Sequence, residues 1–213
     1  MFTGIVAAVG KITAIQAAGS APQAGVRLVV HAGNLPLDDV RLGDSIALNG
    51  ACMTVVAKTA DSFCFDVSRE SLNRTVGLDA VGEVNLEKAL TLADRLGGHL
   101  VSGHVDGIGR VEKFAPIGES WELVIAAPTA LGKYLAYKGS IVVNGVSLTV
   151  NRVSDRVDAC VVSINLIPHT IEVTTLKHLQ TGAQVNLEID LIARYVERML
   201  SAGNRKSDTS IRS

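Results

Sequence analysis

The sequence predicts an all-β protein, built as two similar six-stranded antiparallel β-barrels in tandem with one α-helix after them. Three observations predict this fold class. A long block of sequence occurs twice, each copy consists of short runs of β-branched residues separated by turn formers, and an amphipathic segment follows the second copy.

The repeat is clearest at two Asn-Gly motifs. Asn49–Val55 (NGACMTV) returns as Asn144–Val150 (NGVSLTV), a displacement of 95 residues, 144 minus 49. Two further blocks agree: Thr3–Val6 with Ser102–Val105, and Val84–Glu87 with Val185–Glu188. Their displacements are 99 and 101 (102 minus 3, 185 minus 84), and such small changes indicate loop insertions between equivalent strands.

Short apolar or alternating runs in both copies predict strands. The clearest are Val26–Val30, Phe63–Val67, Trp121–Ile125 and Cys160–Ile164. About six such strands per copy can bury their apolar faces by curling into a small barrel, and closure also removes exposed edges. The Asn-Gly pairs at Asn49 and Asn144 lie between strand-like runs and predict tight hairpin turns with positive φ.

Helical signals are sparse before the C-terminus. Ser68 can cap a single turn that begins at Arg69, and Thr129–Tyr137 can form two turns after Pro128. Gly97 and Gly98 predict a linker between the copies. The predicted division is an N-terminal barrel over 1–98, a C-terminal barrel over 99–190, a helix over 191–203 and a disordered polar tail over 204–213.

The final helix is predicted after Asp190, a plausible N-cap. Its apolar residues fall on one face: Leu191, Ile192, Tyr195, Val196, Met199 and Leu200. Arg194, Glu197 and Arg198 take the other face. A helix this short is unstable alone in water, so the stripe packs either on its own barrel or on another copy of the chain, and the pattern alone leaves both open.

Composition limits the partners and the compartment. The chain has 213 residues, of which 47% are hydrophobic and 19% charged, with a net charge of -1, which argues against a nucleic-acid partner. No apolar run is long enough to span a membrane, and Met1–Gly4 carries no cationic leader, so we expect a cytoplasmic protein. Cys52, Cys64 and Cys160 form no metal or disulfide pattern, so we expect reduced thiols and no metal.

Positions that differ in chemical type between the two copies point to chemistry. Cys52 corresponds to Ser147, and Ile5 corresponds to His104. If the two segments are neighbours, Ser147 and His104 can bracket a ligand and act as general base, nucleophile or proton shuttle. The plainer interpretations are a structural histidine at a strand start, a buried structural Cys52, and a His99 that only orients the linker.

Several motifs in one order closely resemble the riboflavin synthase family, α-chain type, over residues 1 to about 200. They are Met1–Val6, Asn49–Val55, Gly97–His104, Lys138–Ser140, Asn144–Val150 and Ile167–Thr170. The resemblance implies Greek-key, flavin-reductase-like barrels and a C-terminal helix that joins three chains. It implies dismutation of two molecules of 6,7-dimethyl-8-ribityllumazine, without cofactor or metal, to riboflavin and 5-amino-6-ribitylamino-uracil. The productive site then lies between the N-terminal barrel of one chain and the C-terminal barrel of its neighbour.

The resemblance also implies two ligand shells. The N-terminal shell consists of Gly4, Ile5, Val6, Cys52, Met53, Thr54, Asp66, Val67, Ser68, Arg69, Glu70 and Ser71. The C-terminal shell consists of Gly103, His104, Val105, Lys138, Ser147, Leu148, Thr149, Ile167, Pro168, His169, Thr170, Ile171 and Glu172. Phe2 and Thr3 would close the site between chains. The Lys138 ammonium either anchors the ligand or is simply solvated.

The working hypothesis assigns proton transfer, or activation of water, to His104 and Ser147, with Cys52 and Thr54 contacting the other lumazine. Two rivals remain open. A non-catalytic lumazine- or flavin-binding protein of the same fold is expected to lose one site, whereas both copies here keep the Asn-Gly-x-(Cys/Ser)-x-Thr-Val motif. A flavin reductase would need a nicotinamide-binding α/β domain, and no βαβ pattern is present.

Overall fold

The structure, a computed structural model, describes residues 1–19, 21 and 24–207. Its strands in the first repeat are β1 (Ala8–Ala17), β2 (Val26–His31), β3 (Ser45–Leu48), β4 (Ala51–Lys58), β5 (Ser62–Val67) and β6 (Gly82–Lys88). Those in the second repeat are β7 (Gly107–Ile117), β8 (Ser120–Pro128), β9 (Ser140–Val143), β10 (Val146–Asp155), β11 (Ala159–Leu166) and β12 (Gln184–Ile189). All four sequence runs chosen as strands lie within these elements.

Each repeat closes into a six-stranded antiparallel barrel. The strands follow the order β1-β2-β5-β4-β3-β6 in the first barrel and β10-β11-β8-β7-β12-β9 in the second. This non-sequential Greek-key order and the closed hydrogen bonding confirm the predicted fold class. Alternate residues such as Ala51, Met53 and Val55 point into the barrel core, and each barrel has its own apolar cluster.

Register shifts occur at equivalent places in the two barrels. They lie between Ile12 and Ala14 in β1 and between Val111 and Lys113 in β7. A second pair of shifts divides β4 after Val55 and β10 after Val150. Bulges of this kind bend a strand and increase its twist, which is what a small barrel needs in order to close.

The two barrels meet at their Asn-Gly hairpins. Asn49 and Asn144 take positive φ (44° and 47°), as predicted. A Cβ atom added to Gly50 would come within 2.8 Å of the backbone nitrogen of Gly145, and the reverse contact is equal. The hairpins therefore touch backbone to backbone across an approximate twofold axis, which glycine alone permits.

Buried asparagines complete this interface. Asn85 Nδ2 donates to the carbonyl of Asn144 (2.8 Å), and Asn186 Nδ2 donates to the carbonyl of Asn49 (3.0 Å). The Oδ1 atoms of Asn49 and Asn144 accept from the backbone nitrogens of Asn85 and Asn186. Asn85 and Asn186 are each 1% exposed, so the polar groups of the interface are satisfied by one another rather than by water.

Short helices follow the strands at equivalent places. Helix α1 (Arg69–Arg74) begins after Ser68, whose Oγ accepts from Ser71 N, so the predicted cap is confirmed. Helix α2 (Pro168–Glu172) was not predicted as a helix. The two turns expected over Thr129–Tyr137 are a 3-10 helix over Thr129–Tyr134, and a second 3-10 turn spans Thr175–His178.

The C-terminal helix α3 (Leu191–Ser207) is longer than predicted. Asp190 Oδ1 accepts from Ile192 N at 2.8 Å, as expected of its N-cap. The helix continues four residues past the predicted end at 203, because a single glycine costs a helix only about 1 kcal/mol and Gly203 does not end it. Positions 204–207 of the predicted tail are therefore helical, and positions 208–213 lie outside the described residues.

Helix α3 contacts its own barrel through its charged side. Arg194 Nη2 donates to the Asp106 carboxylate at 2.7 Å, and Lys133 donates to Glu197 at 2.7 Å. The apolar stripe is exposed instead, at Ile192, Tyr195, Val196, Met199 and Leu200. Of the two possibilities left open by the sequence, packing of the stripe on its own barrel is not what the structure has.

Candidate active site

Two buried carboxylates hold the segments that precede the first strand of each barrel. Glu87 Oε1 accepts from the backbone nitrogen and hydroxyl of Thr3 (2.7 and 2.6 Å), and its Oε2 accepts from Gly4 N (3.0 Å). Glu188 accepts in the same way from Ser102 and Gly103, and also from His104 N. Burial raises the pKa of both carboxyls, although these donors pull it down in part.

Each of these two segments crosses to the other barrel. The Gly4 carbonyl accepts from Ser147 N at 2.7 Å, and the Gly103 carbonyl accepts from Cys52 N at 2.8 Å. Val6 packs against the core of the C-terminal barrel, and Val105 packs against the core of the N-terminal barrel. The segments pass each other at a bridge between Phe2 and Val101.

The crossing rearranges the two expected ligand shells. Gly4 and Val6 lie with the C-terminal barrel, and Gly103 and Val105 lie with the N-terminal barrel, which is the reverse of the expected grouping. The physical reason is that these segments precede the first barrel strands: Glu87 and Glu188 of their own barrels bind their nitrogens, while their carbonyls accept from the other barrel.

Ser147 has an imidazole partner, and it is His99. Nδ1 of His99 lies 2.7 Å from Ser147 Oγ. The backbone nitrogen of His99 donates to the Thr3 carbonyl at 3.1 Å. The expected adjacency of His104 and Ser147 was wrong, because the segment that carries His104 runs to Cys52 while the linker delivers His99 to Ser147.

The environment of His99 favours the neutral imidazole. Burial lowers its pKa, and the negative charge of Asp190, the N-cap of α3, raises it only in part. Its Nε2 atom is buried and has no hydrogen-bond partner among residues 1–19, 21 and 24–207. A neutral imidazole can exchange a proton with the serine hydroxyl through Nδ1.

Cys52 occupies the equivalent position in the N-terminal barrel but has different neighbours. Its thiol is free and half-buried, and it packs beside Phe2 and Gly103. Among the described residues no imidazole lies within hydrogen-bond distance of it. Met53 points into the core, whereas Thr54 is exposed beside it on β4. The two barrels thus present different chemistry on equivalent strands.

Phe2 and Thr3, which were expected to close the site between chains, are both buried within this chain. Phe2 is 0% exposed and packs with Ala47, Val101 and Val142 between the two barrels of one chain. Thr3 is 5% exposed and its side chain is held by Glu87. Their role in this structure is to anchor the crossing segment, because the bridge to Val101 buries them.

The remaining residues of the expected shells lie at the ends of β5 and β11. In the first barrel Asp66 pairs with Arg27 (2.7 Å), which lowers the pKa of the carboxyl, and Val67 points into the core. Arg69 donates to the Ala24 carbonyl, and Glu70 pairs with Arg74. In the second barrel the equivalent run consists of Ile167 and helix α2. Its residues are exposed or half-buried: Ile167, Pro168, His169, Thr170, Ile171 and Glu172.

Lys138 lies on the C-terminal barrel in a strained backbone conformation. Its φ is +63°, where the N-terminal barrel has Gly43 at +92°. Lys138 Nζ lies 3.2 Å from Asn151 Oδ1 and 5.4 Å from the centre of the Tyr137 ring. Leu148 beside it is buried, and Thr149 is exposed.

A cleft of about 710 Å³ opens beside the crossing N-terminal segment. Thr3, Ile5 and Gly97 lie at its wall, together with residues of β3 and β6. Ile5 is 50% exposed. No group of three potential metal ligands occurs in the part of the chain that the structure describes, and none of the described helices is long and apolar enough to cross a membrane.

Comparison with known proteins identifies the family. The lumazine binding domain matches twice, over residues 3–89 and 102–190. The chain is 45% identical to riboflavin synthase of Photobacterium phosphoreum over 202 residues, covering 94% of this chain and 89% of the relative. It is 45% identical to riboflavin synthase of Mycobacterium bovis over 209 residues (95% and 100%). The Bacillus subtilis enzyme is 39% identical over 206 residues (96% and 92%).

The chain belongs to the riboflavin synthase family.

Solved structures share the fold of this riboflavin synthase family member. LumP in complex with riboflavin superposes with a TM-score of 0.76 at 29% identity, covering 89% of this chain and 99% of LumP. LumP with 6,7-dimethyl-8-(1'-D-ribityl)lumazine gives 0.74 at 28% identity, covering 88% and 98%. The ligands are those of LumP, and LumP shares the two-barrel fold with this chain.

Three residues at this site were not among the candidates drawn from the sequence: His99, Glu87 and Glu188. The repeat held a signal for the two glutamates, because Val84–Glu87 and Val185–Glu188 have the same sequence. Glutamate at the end of an apolar strand motif, present in both copies, indicates a buried carboxylate with a structural partner. His99 lies within the Gly97–His104 motif, and from the sequence it was expected only to orient the linker.

Proposed function

We propose that this chain catalyses the dismutation of two molecules of 6,7-dimethyl-8-ribityllumazine. One molecule transfers a four-carbon unit to the other, giving riboflavin and 5-amino-6-ribitylamino-uracil, the last step of riboflavin biosynthesis. Membership of the riboflavin synthase family supports this reaction. The observation that carries the proposal is that two lumazine binding domains occur in one chain and that, among residues 1–19, 21 and 24–207, the serine–imidazole pair lies on the second alone.

The reaction depends more on alignment of the two lumazine rings than on a strong base. A methyl group conjugated to the C=N of a lumazine is acidic because its anion delocalises into the ring. Holding two such rings face to face turns a bimolecular step into an effectively unimolecular one, a contribution of about 7–11 kcal/mol when the alignment is good. A duplicated barrel supplies two equivalent pockets for two identical substrates.

The proposed roles follow the chemical difference between the barrels. His99 and Ser147 exchange protons at the lumazine bound by the C-terminal barrel, or activate a water for addition to its ring. Cys52 and Thr54 contact the lumazine bound by the N-terminal barrel, with His104 delivered to that barrel by the crossing segment. Lys138 Nζ anchors the ligand or steadies an anionic intermediate. No metal or cofactor is included in the proposal.

The active assembly is proposed to be a homotrimer joined by α3. The five exposed apolar residues of the stripe follow the spacing i, i+3, i+4, i+7, i+8, which forms one continuous helix face. The charged face is already engaged with Asp106 and Lys133 of the same chain, so the stripe remains for other copies. Two further copies of α3 would bury it in a small bundle, and the site would then form between the barrels of neighbouring chains.

A cytoplasmic location completes the proposal. The three cysteines are free thiols in the structure, which is compatible with a reducing compartment. The partners proposed are the lumazine substrate, riboflavin as product and the other copies of the chain, with no nucleic acid and no membrane.

Incubation with 6,7-dimethyl-8-ribityllumazine as the only substrate tests the function. We expect riboflavin and 5-amino-6-ribitylamino-uracil to form in equal amounts, followed by absorbance and chromatography. A lumazine that binds and is recovered unchanged would contradict catalysis and support the rival, a lumazine-binding protein of the same fold.

A further inference from the structure

Glu87 and Glu188 are buried carboxylates that the proposed proton transfers do not use. Their exposed fractions are 8% and 2%, and each accepts hydrogen bonds from the segment that begins its own repeat. Burying a carboxylate is unfavourable unless hydrogen bonds compensate for the lost water. Each glutamate therefore acts as a fixed acceptor that sets the position of a short backbone segment.

The segment held by Glu87 is hydrogen-bonded to both members of the Ser147–His99 pair. Thr3, whose backbone nitrogen and hydroxyl both donate to Glu87, offers its carbonyl to His99 N at 3.1 Å. Gly4, whose nitrogen donates to Glu87, offers its carbonyl to Ser147 N at 2.7 Å. A carboxylate of the N-terminal barrel is thus two hydrogen bonds away from the imidazole and the serine of the C-terminal barrel.

Close packing leaves these three segments little room to move independently. A Cβ atom at Gly4 would lie 2.6 Å from Ser147 Cβ, and one at Gly98 would lie 2.1 Å from the Thr3 carbonyl oxygen and 2.9 Å from Ser147 Oγ. Because the backbones already touch, a displacement of Thr3 and Gly4 is transmitted to Ser147 and His99 rather than absorbed by a gap.

The second carboxylate has the mirror arrangement. Glu188 holds Ser102, Gly103 and His104, and the Gly103 carbonyl accepts from Cys52 N at 2.8 Å. A Cβ atom at Gly103 would lie 2.7 Å from Cys52 Cβ. The path from Glu188 ends at the backbone and Cβ of Cys52 in the N-terminal barrel, and not at the Ser147–His99 pair.

We propose that Glu87 is a positioning residue for the Ser147–His99 pair of the opposite barrel, acting through Thr3 and Gly4, and that Glu188 positions Cys52 in the same crosswise manner through Gly103. The inference deepens the proposed function, and only its turnover readout rests on that function. Each pocket is therefore set by a glutamate of the other repeat.

The test compares two matched variants, Glu87→Gln and Glu188→Gln. Glutamine keeps the side-chain length, but its amide nitrogen cannot accept a hydrogen bond, so each variant loses an acceptor for its own segment. The two sites have nearly the same burial and donor set, which makes each variant the control for loss of fold in the other. Thermal unfolding should give similar midpoints for the two.

Two reporters that need no turnover read the two sites separately. The ring nitrogen shifts of His99, measured on selectively ¹⁵N-labelled histidine and assigned with a His99→Gln sample, should move in Glu87→Gln and stay in Glu188→Gln. The rate of Cys52 alkylation by iodoacetamide, resolved by peptide mass spectrometry from Cys64 and Cys160, should change in Glu188→Gln and stay in Glu87→Gln.

Turnover supplies the third readout. Glu87→Gln should lower kcat about 10- to 100-fold with little change in KM, because misplacement of reacting groups by a fraction of an ångström has effects of this size. Glu188→Gln should act mainly on KM for lumazine. If either variant fails to fold, Thr3→Val and Ser102→Ala remove one hydrogen bond each at equivalent places and should show the same division at smaller amplitude.

Opposite results overturn the inference. If the His99 ring nitrogen shifts change in Glu188→Gln and are unchanged in Glu87→Gln, each glutamate serves its own barrel. Equal effects of both variants on both reporters would mean a merely structural role. Absence of turnover in the unmodified chain, with the reporters still divided as expected, would refute the proposed function and leave the positioning intact.

Discussion

His99 takes its position from both repeats and from the linker between them. Its backbone is bound by Thr3 of the first repeat, its ring by Ser147 of the second, and Asp190 contributes negative charge nearby. Burial lowers the pKa of this histidine, so its neutral, proton-accepting form is favoured at neutral pH.

Removing either member of the pair should slow turnover. His99→Ala and Ser147→Ala should each lower kcat about 100- to 10,000-fold, the range of general acid–base catalysis, with a small effect on lumazine binding. Steady-state kinetics and equilibrium titration measure the two effects. His178→Ala, which removes an exposed histidine paired with Glu83, serves as the control and should retain turnover. Retained turnover in both single variants would remove the pair from the mechanism.

The lowered pKa of His99 sets the direction of the pH dependence. Since the neutral ring is needed, the acid limb of kcat should lie below pH 6.5, the ordinary pKa of histidine. The same shift affects stability: the unfolded chain takes up the proton first, so this residue's contribution decreases as pH falls from 6.5 through the folded pKa. A kcat profile and unfolding curves of the unmodified chain and His99→Gln test both, and an acid limb above pH 6.5 would contradict the assignment.

At the scale of the secondary-structure elements, the two Asn-Gly hairpins form the contact between the barrels. Both glycines have positive φ and approach each other's backbone, whereas Gly43 has positive φ but open space around its Cβ position. This difference separates the cost of backbone conformation from the cost of steric contact.

Substituting alanine at the two kinds of glycine should give different losses of stability. Gly43→Ala carries the conformational cost alone, about 1–2 kcal/mol. Gly50→Ala adds steric overlap with Gly145 and should lose about 1–3 kcal/mol more. Urea unfolding measures both, and equal losses would show that the hairpins separate at no cost.

The elements were largely predictable from the sequence, and their connections across the two barrels were not. Period-two runs such as Val26–Val30 and the Asn-Gly turns carry their structure locally, and the N-caps Ser68 and Asp190 are local as well. The segments Thr3–Val6 and Ser102–Val105 precede the first barrel strands, so no periodicity says which barrel they contact. For that reason His104 was paired with the wrong residue and His99 was overlooked.

At the scale of the whole molecule, helix α3 faces its own barrel with its charged side and the solvent with its apolar side. Its charged side chains bind the C-terminal barrel, and its apolar side chains face outward, with Met199 74% exposed. A helix fixed in this way by ion pairs presents its apolar face in a defined direction, which suits assembly better than stability of the single chain.

A single charge on this face should separate the chains. Met199→Glu would bury a carboxylate between apolar helices, at a cost of several kcal/mol, while the folded chain loses no described contact of its own. Light scattering after size exclusion should give the mass of one chain in place of three. Arg198→Gln on the same helix is the control and should stay trimeric. An unchanged mass for Met199→Glu would place the subunit contact elsewhere.

The crossing of Thr3–Val6 and Ser102–Val105 also bears on how such a chain arose. The leading residues of each repeat bind the barrel of the other repeat, so a lone repeat would have no partner for them. A single-module ancestor would have had to exchange those residues with a second molecule of itself, as in a domain-swapped dimer. Fusion of two such modules into one chain lets equivalent positions differ, as Cys52 and Ser147 do here.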